Sequence, residues 1–180
     1  MHKFRHTLWT LPLGTALTIF SLAACSSYPP MPPVAQVDLD RFMGDWYVIA
    51  AIPSWPERNA YNAVESYARL PDGKIQTTFR YRDGGFDGKL KTMRPVGTVQ
   101  ADSGNAIWGM QFIWPIKAEY VVTYLDSDYR TVIIGRSKRD YVWIMSRTPV
   151  IADQEYDRLK ARVGALGYIT KDLRRVPQQW

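Results

Sequence analysis

Residues 44–53 read GDWYVIAAIP: a glycine, an acid and a tryptophan, then an apolar run that ends at a proline. With almost no polar side, the run reads as a strand covered on both faces. Gly44 and the bulky Trp46 at its head ask for a structural reason.

Downstream, strand-like runs recur with turn signals between them. They cover 45–52, 62–70, 74–81, 89–100, 106–112, 119–125, 130–135 and 141–146. Pro71-Asp72-Gly73, Asp102-Ser103-Gly104 and Asp126-Ser127-Asp128 supply the residues that tight connections need. Eight runs with short connections predict an all-β fold, an antiparallel barrel or sandwich whose economical topology is up-and-down.

The third run alternates most clearly. Ile75, Thr77, Phe79 and Tyr81 oppose Lys74, Gln76, Thr78 and Arg80, the period of a half-buried strand. In the eighth, Tyr141, Trp143 and Met145 alternate with Val142, Ile144 and Ser146, so both faces are largely apolar and the outer one needs a cover. The segment 153–166 provides it. Tyr156, Leu159, Val163 and Leu166 share one helical face, Gly167 marks the end, and the placement of acids and bases suits the helix dipole.

Upstream, residues 26–37 hold four prolines and no periodicity. They predict a semi-extended tether of roughly 30–40 Å at about 3.1 Å per residue. Residues 1–24 have a basic start at Lys3 and Arg5, an apolar run over 8–22 and small residues before Cys25, the architecture of a secretory signal. The predicted organisation is therefore signal 1–24, tether 25–37 and barrel domain 38–180.

Cleavage before Cys25 restricts the chemistry. Both histidines, His2 and His6, leave with the signal, and the one cysteine stands at the new N-terminus. Triads built on histidine and metal sites built on His or Cys are excluded. Loss of Lys3 and Arg5 lowers the formal charge from +6 to +4, which suits an anionic lipid surface or ligand and is also common in ordinary soluble domains. No cofactor, metal or nucleic-acid partner is expected.

Three motifs in order then carry a resemblance: Gly44-x-Trp46-Tyr47, Leu125-Asp126-Ser127-Asp128-Tyr129 and Trp143-Ile144-Met145-Ser146-Arg147-Thr148-Pro149. Over roughly residues 38–180 the chain resembles the lipocalins, specifically the bacterial outer-membrane lipoprotein branch. The second motif lacks the Thr-Asp opening of many members, and Ala152 stands where a capping Ser or Thr is preferred. Leu22-Ala23-Ala24-Cys25 resembles a lipobox, which implies acylation of Cys25, and Ser26 resembles the outer-membrane sorting pattern. The implied fold is an eight-stranded antiparallel up-and-down barrel with one C-terminal helix packed outside. The resemblance also implies that Trp46 lies under Arg147 to close one end, with Gly44 leaving room for the chain to cross.

Alternation from Trp46 places Val48, Ala50 and Ile52 inward. Carried along the barrel, the expected ligand site is Tyr67, Thr77, Phe79, Tyr81, Trp108, Met110, Phe112, Val121, Tyr141, Trp143 and Met145, with Thr123, Val132 and Ile134 also inward. Periodicity alone favours a filled core over a cavity; the resemblance reverses that preference. Glu65 and Glu119 fall on the same register. They read as rim carboxylates or as acids with raised pKa, and no nucleophile accompanies them. The open-end connections, 54–61, 82–88, 113–118 and 136–140, carry Arg58, Arg82, Lys117, Arg136, Lys138 and Arg139. A basic mouth over an apolar cavity predicts a fatty acid, such as palmitate, or a lysophospholipid with its head outside.

The expected function is a non-enzymatic, membrane-anchored lipid carrier on the periplasmic side of the outer membrane, as a monomer or weak homodimer. A lipocalin-type enzyme and a structural envelope lipoprotein are the alternatives.

Overall fold

A computed structural model describes residues 28–180. Its strands are β1 (Gly44–Ile52), β2 (Ala60–Arg69), β3 (Ile75–Asp83), β4 (Lys89–Met93), β5 (Val96–Val99), β6 (Ile107–Ile113), β7 (Ile116–Leu125), β8 (Thr131–Gly135), β9 (Val142–Ser146) and the short β10 (Arg174–Arg175). Successive strands pair antiparallel, and β9 returns to β1, so the sheet closes into an eight-stave barrel. The expected fourth strand is two pieces, β4 and β5, which share one stave against β3. The break falls at Arg94-Pro95, where proline has no N–H for the ladder. β10 adds to β1 at Ala50 and Ala51.

Two apolar layers sandwich the barrel wall. The inner one gathers Trp46, Val48, Tyr67, Phe79, Trp108, Met110, Tyr120, Val122, Val132, Ile134 and Met145. The outer one lies under α2 (Asp153–Ala165), whose Tyr156, Leu159 and Val163 meet Ile49, Val121, Ile133, Val142 and Ile144. This is the cover that the eighth run requires. Ala152 makes no side-chain cap, so Asp153 and Glu155 in the first turn are the favourable charges at that end. The helix stops as Gly167 takes φ +91°, a left-handed position suited to glycine.

Two strands depart from simple alternation. In β1 the pairing with β9 slips between Val48 and Ala50. This bulge turns Ile49 and Ala50 both outward and brings Ala51 inward, so the expected inward positions of Ala50 and Ile52 are corrected. In β7, Tyr120 and Val122 face inward, while Val121 belongs to the outer layer beneath α2. Thr123 is also out of phase with the expectation: its hydroxyl donates to the Pro32 carbonyl on the chain that crosses the barrel wall.

The closed end carries an element that alternation does not predict. Asp38 caps α1 (Leu39–Phe42) by accepting from the amides of Asp40 and Arg41. α1 drives Phe42 into the base of the barrel, with its ring centroid 5.1 Å from Trp46, 5.3 Å from Tyr67 and 5.5 Å from Trp108.

Residues 28–37 are not a free tether. Met31 is 2 % exposed and Val37 is fully buried, and the Val34 amide donates to the Val122 carbonyl. The prolines keep this strap extended, and its apolar side chains dock it on the barrel. The expected signal segment and Cys25 lie outside the described residues.

Candidate ligand cavity

The inner layer fills only the closed half of the barrel. Above Phe42, Trp46, Tyr67 and Trp108 lies Tyr120, stacked on Trp108 at 5.1 Å between centroids, with its hydroxyl bonded to that of Tyr67. Above this floor a cavity of about 380 Å³ opens toward the connections between β1 and β2, β6 and β7, and β8 and β9. That volume falls in the usual range for small-molecule sites.

Its walls are mostly apolar. Phe79, Met93, Met110, Phe112, Ala118, Tyr120, Tyr141 and Trp143 line it, with Pro56 and Pro95 at its edges. Of the expected site residues, Phe79, Met110, Phe112, Tyr141 and Trp143 are brought together on this surface. Phe112 stands at the rim, 55 % exposed. Tyr67, Trp108 and Met145 sit in the packed layers of the barrel instead. Thr77 is fully buried outside the cavity surface, and its hydroxyl has no hydrogen-bond partner. Tyr81 is held away by donating its hydroxyl to the Pro56 carbonyl at 2.8 Å. Val121 is on the other side of the wall.

The polar groups of the cavity are few and mixed. Glu65 and Glu119, both placed by register, line it, as does Glu57, which strand patterning misses because it lies on a short 3₁₀ turn, Trp55–Glu57. The spacing Ser54-x-x-Glu57 is the sequence signal for that turn: the Ser54 hydroxyl donates to Glu57 Oε1 at 2.6 Å. Trp143 Nε1 donates to the other oxygen at 3.1 Å. Burial raises the Glu57 pKa, against the pull of these two bonds. Glu65 is deeper. Desolvation pushes its carboxyl up to about 8, with the Tyr67 hydroxyl offsetting only part of that and Glu57 adding to it. At neutral pH Glu65 therefore holds a proton and can donate it in a hydrogen bond. Glu119 is engaged at the rim, accepting from the Ser137 amide at 2.6 Å and its hydroxyl at 2.8 Å.

Among the expected mouth cations, Arg136 lines the cavity. Its Nε lies 3.4 Å from Asp140 Oδ1 as an ion pair, but it is buried without a hydrogen bond. Arg139 is committed elsewhere, donating to the carbonyls of Leu166, Pro29 and Ser137. Arg58 caps its own turn at the Trp55 carbonyl, and Arg82 donates to the Gly88 carbonyl. Lys117 points to Thr98 on the outer wall, and Lys138 is exposed. The expected basic mouth is thus one guanidinium among carboxyls.

At the opposite end Arg147 lies over Trp46, 3.9 Å from the ring centroid, and donates to the carbonyls of Arg41, Phe42 and Asp45. Gly44 takes φ +92°, and a Cβ there would meet Arg147 at 3.4 Å.

A family model, the lipocalin-like domain, matches residues 37–178. The chain belongs to the lipocalin family. It is 32% identical over 157 residues to the outer membrane lipoprotein Blc of Citrobacter freundii, covering 84% of this chain and 87% of that one. It is 29% identical over 154 residues to temperature-induced lipocalin-1 of Arabidopsis thaliana, with 82% and 83% covered. Insecticyanin from the tobacco hornworm Manduca sexta shares the fold, with a TM-score of 0.65 at 16% identity over 83% of this chain and 85% of that one. Lipocalin membership accounts for the barrel, its open end and the outer helix together.

Proposed function

We propose that this lipocalin is a membrane-anchored carrier that holds the acyl chain of a fatty acid or lysophospholipid in the bacterial envelope, and is not an enzyme. The observation that carries this reading is the cavity: an apolar, one-ended space above a packed aromatic floor. A sixteen-carbon chain removed from water gains about 0.8 kcal/mol per methylene, roughly 12 kcal/mol gross. Association costs about 4–15 kcal/mol, toward the low end when the site is preformed. The surplus supports dissociation constants from sub-micromolar to tens of micromolar.

The polar groups support one direction for the ligand. Arg136 lines the cavity, and its guanidinium, paired with Asp140 through Nε, suits a carboxylate or phosphate at the mouth. The protonated Glu65 below it tolerates an acyl chain or a polar group of that chain. Similarity to outer membrane lipoproteins of the Blc type supports the anchor at Cys25 and an outer-membrane location.

Extraction of lipid from the purified protein, followed by mass spectrometry, tests the reading. Near-stoichiometric fatty acid or lysophospholipid is the expected result, and lipid-free protein that refuses both classes on addition would overturn it.

A further inference from the structure

The strap and the open end of the barrel belong to one surface. Residues 28–37 leave the closed end, where Val37 bonds to the Gly104 carbonyl, and cross the wall past Val122 and Thr123. They reach the β8–β9 connection beside the cavity mouth. There the Met31 amide donates to the Ser137 hydroxyl, the Pro29 carbonyl accepts from Arg139, and Arg139 lies 5.4 Å from the centroid of the Tyr28 ring. Cys25 is three residues upstream of Tyr28, and three residues span at most about 10 Å even when fully extended. A lipid on Cys25 is therefore confined to the open end.

That end is also where bulky apolar side chains face water. The β6–β7 hairpin clusters Ile113 at 73 %, Trp114 at 82 % and Ile116 at 70 % exposure, and on the β1–β2 connection across the mouth Trp55 is 76 % exposed. Such a cluster is unusual on a soluble surface. Tryptophan beside aliphatic tips, flanked by the exposed Lys117, Arg58 and Lys138, is the chemistry of a membrane interface with anionic lipid.

We infer that the open end of the barrel is a membrane-docking surface: the β6–β7 hairpin and Trp55 dip into the bilayer that holds the Cys25 lipid, so that the cavity mouth faces the membrane. The strap sets this orientation, because its packing on the wall prevents the barrel from turning its closed end to the lipid. Ligand then passes between bilayer and cavity without crossing bulk water. The inference rests on acylation of Cys25, which the mass of the mature chain checks separately.

The test uses the full acylated chain in vesicles of phosphatidylethanolamine and phosphatidylglycerol. With Cys25 acylated, an introduced cysteine is the single reactive thiol. A nitroxide is placed at Ile113→Cys or, at the closed end, at Asp72→Cys. The expected result is a label at 113 relaxed by oxygen and shielded from a water-soluble nickel chelate, with the label at 72 relaxed by the chelate. Adding Trp114→Glu and Ile116→Glu should return the label at 113 to water while lysophospholipid affinity, measured in detergent-free solution, is retained. Two labels in water, or lipid contact at 72 alone, would overturn the inference. So would labels at 113 broadened by each other and shielded from both relaxants, which would assign the patch to a second copy of the chain. Loss of ligand affinity in the wild type would count against the carrier reading and leave the orientation result standing.

Discussion

The guanidinium of Arg147 lies 3.9 Å above the Trp46 ring and donates to four backbone carbonyls, at Arg41, Phe42, Asp45 and Tyr129. The indole below it donates to the same Phe42 carbonyl at 2.9 Å. One side chain thus ties α1, the start of β1 and the end of β9 into a lid on the closed end. Trp46→Ala should cost about 3–5 kcal/mol as a large-to-small core change. Arg147→Ala should cost about 1–3 kcal/mol, from lost stacking and orphaned carbonyls. Arg147→Lys should recover only part, because an ammonium cannot lie flat on the ring and serve four carbonyls. Denaturant unfolding measures all three, and an unchanged midpoint in Arg147→Ala would contradict this division.

Phe42 sets the depth of the cavity. Its ring fills the space between Trp46, Tyr67 and Trp108, so Phe42→Ala should destabilise by about 3–5 kcal/mol and open a void beneath Tyr120. If the floor relaxes into that void, the longest acyl chain bound without loss of affinity should increase. Affinity measured against chain length, for wild type and variant, checks this.

Glu65 makes stability depend on pH. Its pKa is about 8 in the fold against 4.5 for the ordinary side chain, so between these values the unfolded chain releases a proton that the native state keeps. Stability from this group is full below about pH 4.5, falls as pH rises toward 8, and is flat above, for a total on the order of a few kcal/mol. Glu65→Gln should remove this slope and be the more stable protein at pH 8. Melting curves across that window decide it; equal slopes in the two proteins would mean that Glu65 is ionised in the fold.

Arg136 should select the head. Arg136→Gln is expected to weaken binding of fatty acids and lysophospholipids by about tenfold, the effect of about 1.4 kcal/mol from one charge-assisted hydrogen bond. The long-chain alcohol of equal length should be nearly unaffected. Parallel loss for the alcohol would show that Arg136 acts by packing.

Sequence and structure agree where one face of a strand is wet. The alternation of Ile75, Thr77, Phe79 and Tyr81 sets the inward face of β3, and the apolar stripe of 153–166 identifies α2 and what it covers. Agreement fails where both faces are dry. In β7 the run Tyr120-Val121-Val122 is apolar throughout because α2 and the strap cover its outside, so periodicity has no wet face from which to take its phase. The same is true of β1, where the bulge at Ile49–Ala50 carries no marker residue. The extent of the cavity depended on Phe42, which reaches the core from a four-residue helix and leaves Tyr67 and Trp108 packed. The strap read as a tether because proline content reports extension and says nothing of docking.

The most direct test of the account is a titration of lysophospholipid into wild type and into Ala118→Trp, followed by calorimetry and by tryptophan emission. Ala118 lines the cavity and pairs with Met110 on β6, so an indole there fills the proposed acyl site from the wall without entering the packed floor. Wild type should bind one molecule between sub-micromolar and tens of micromolar, shift the emission of Trp143 and melt higher when loaded. Ala118→Trp should fold and bind nothing. Equal binding by the filled variant, or no heat, emission change or melting shift in wild type at saturating lipid, would contradict the claim that this cavity holds an acyl chain.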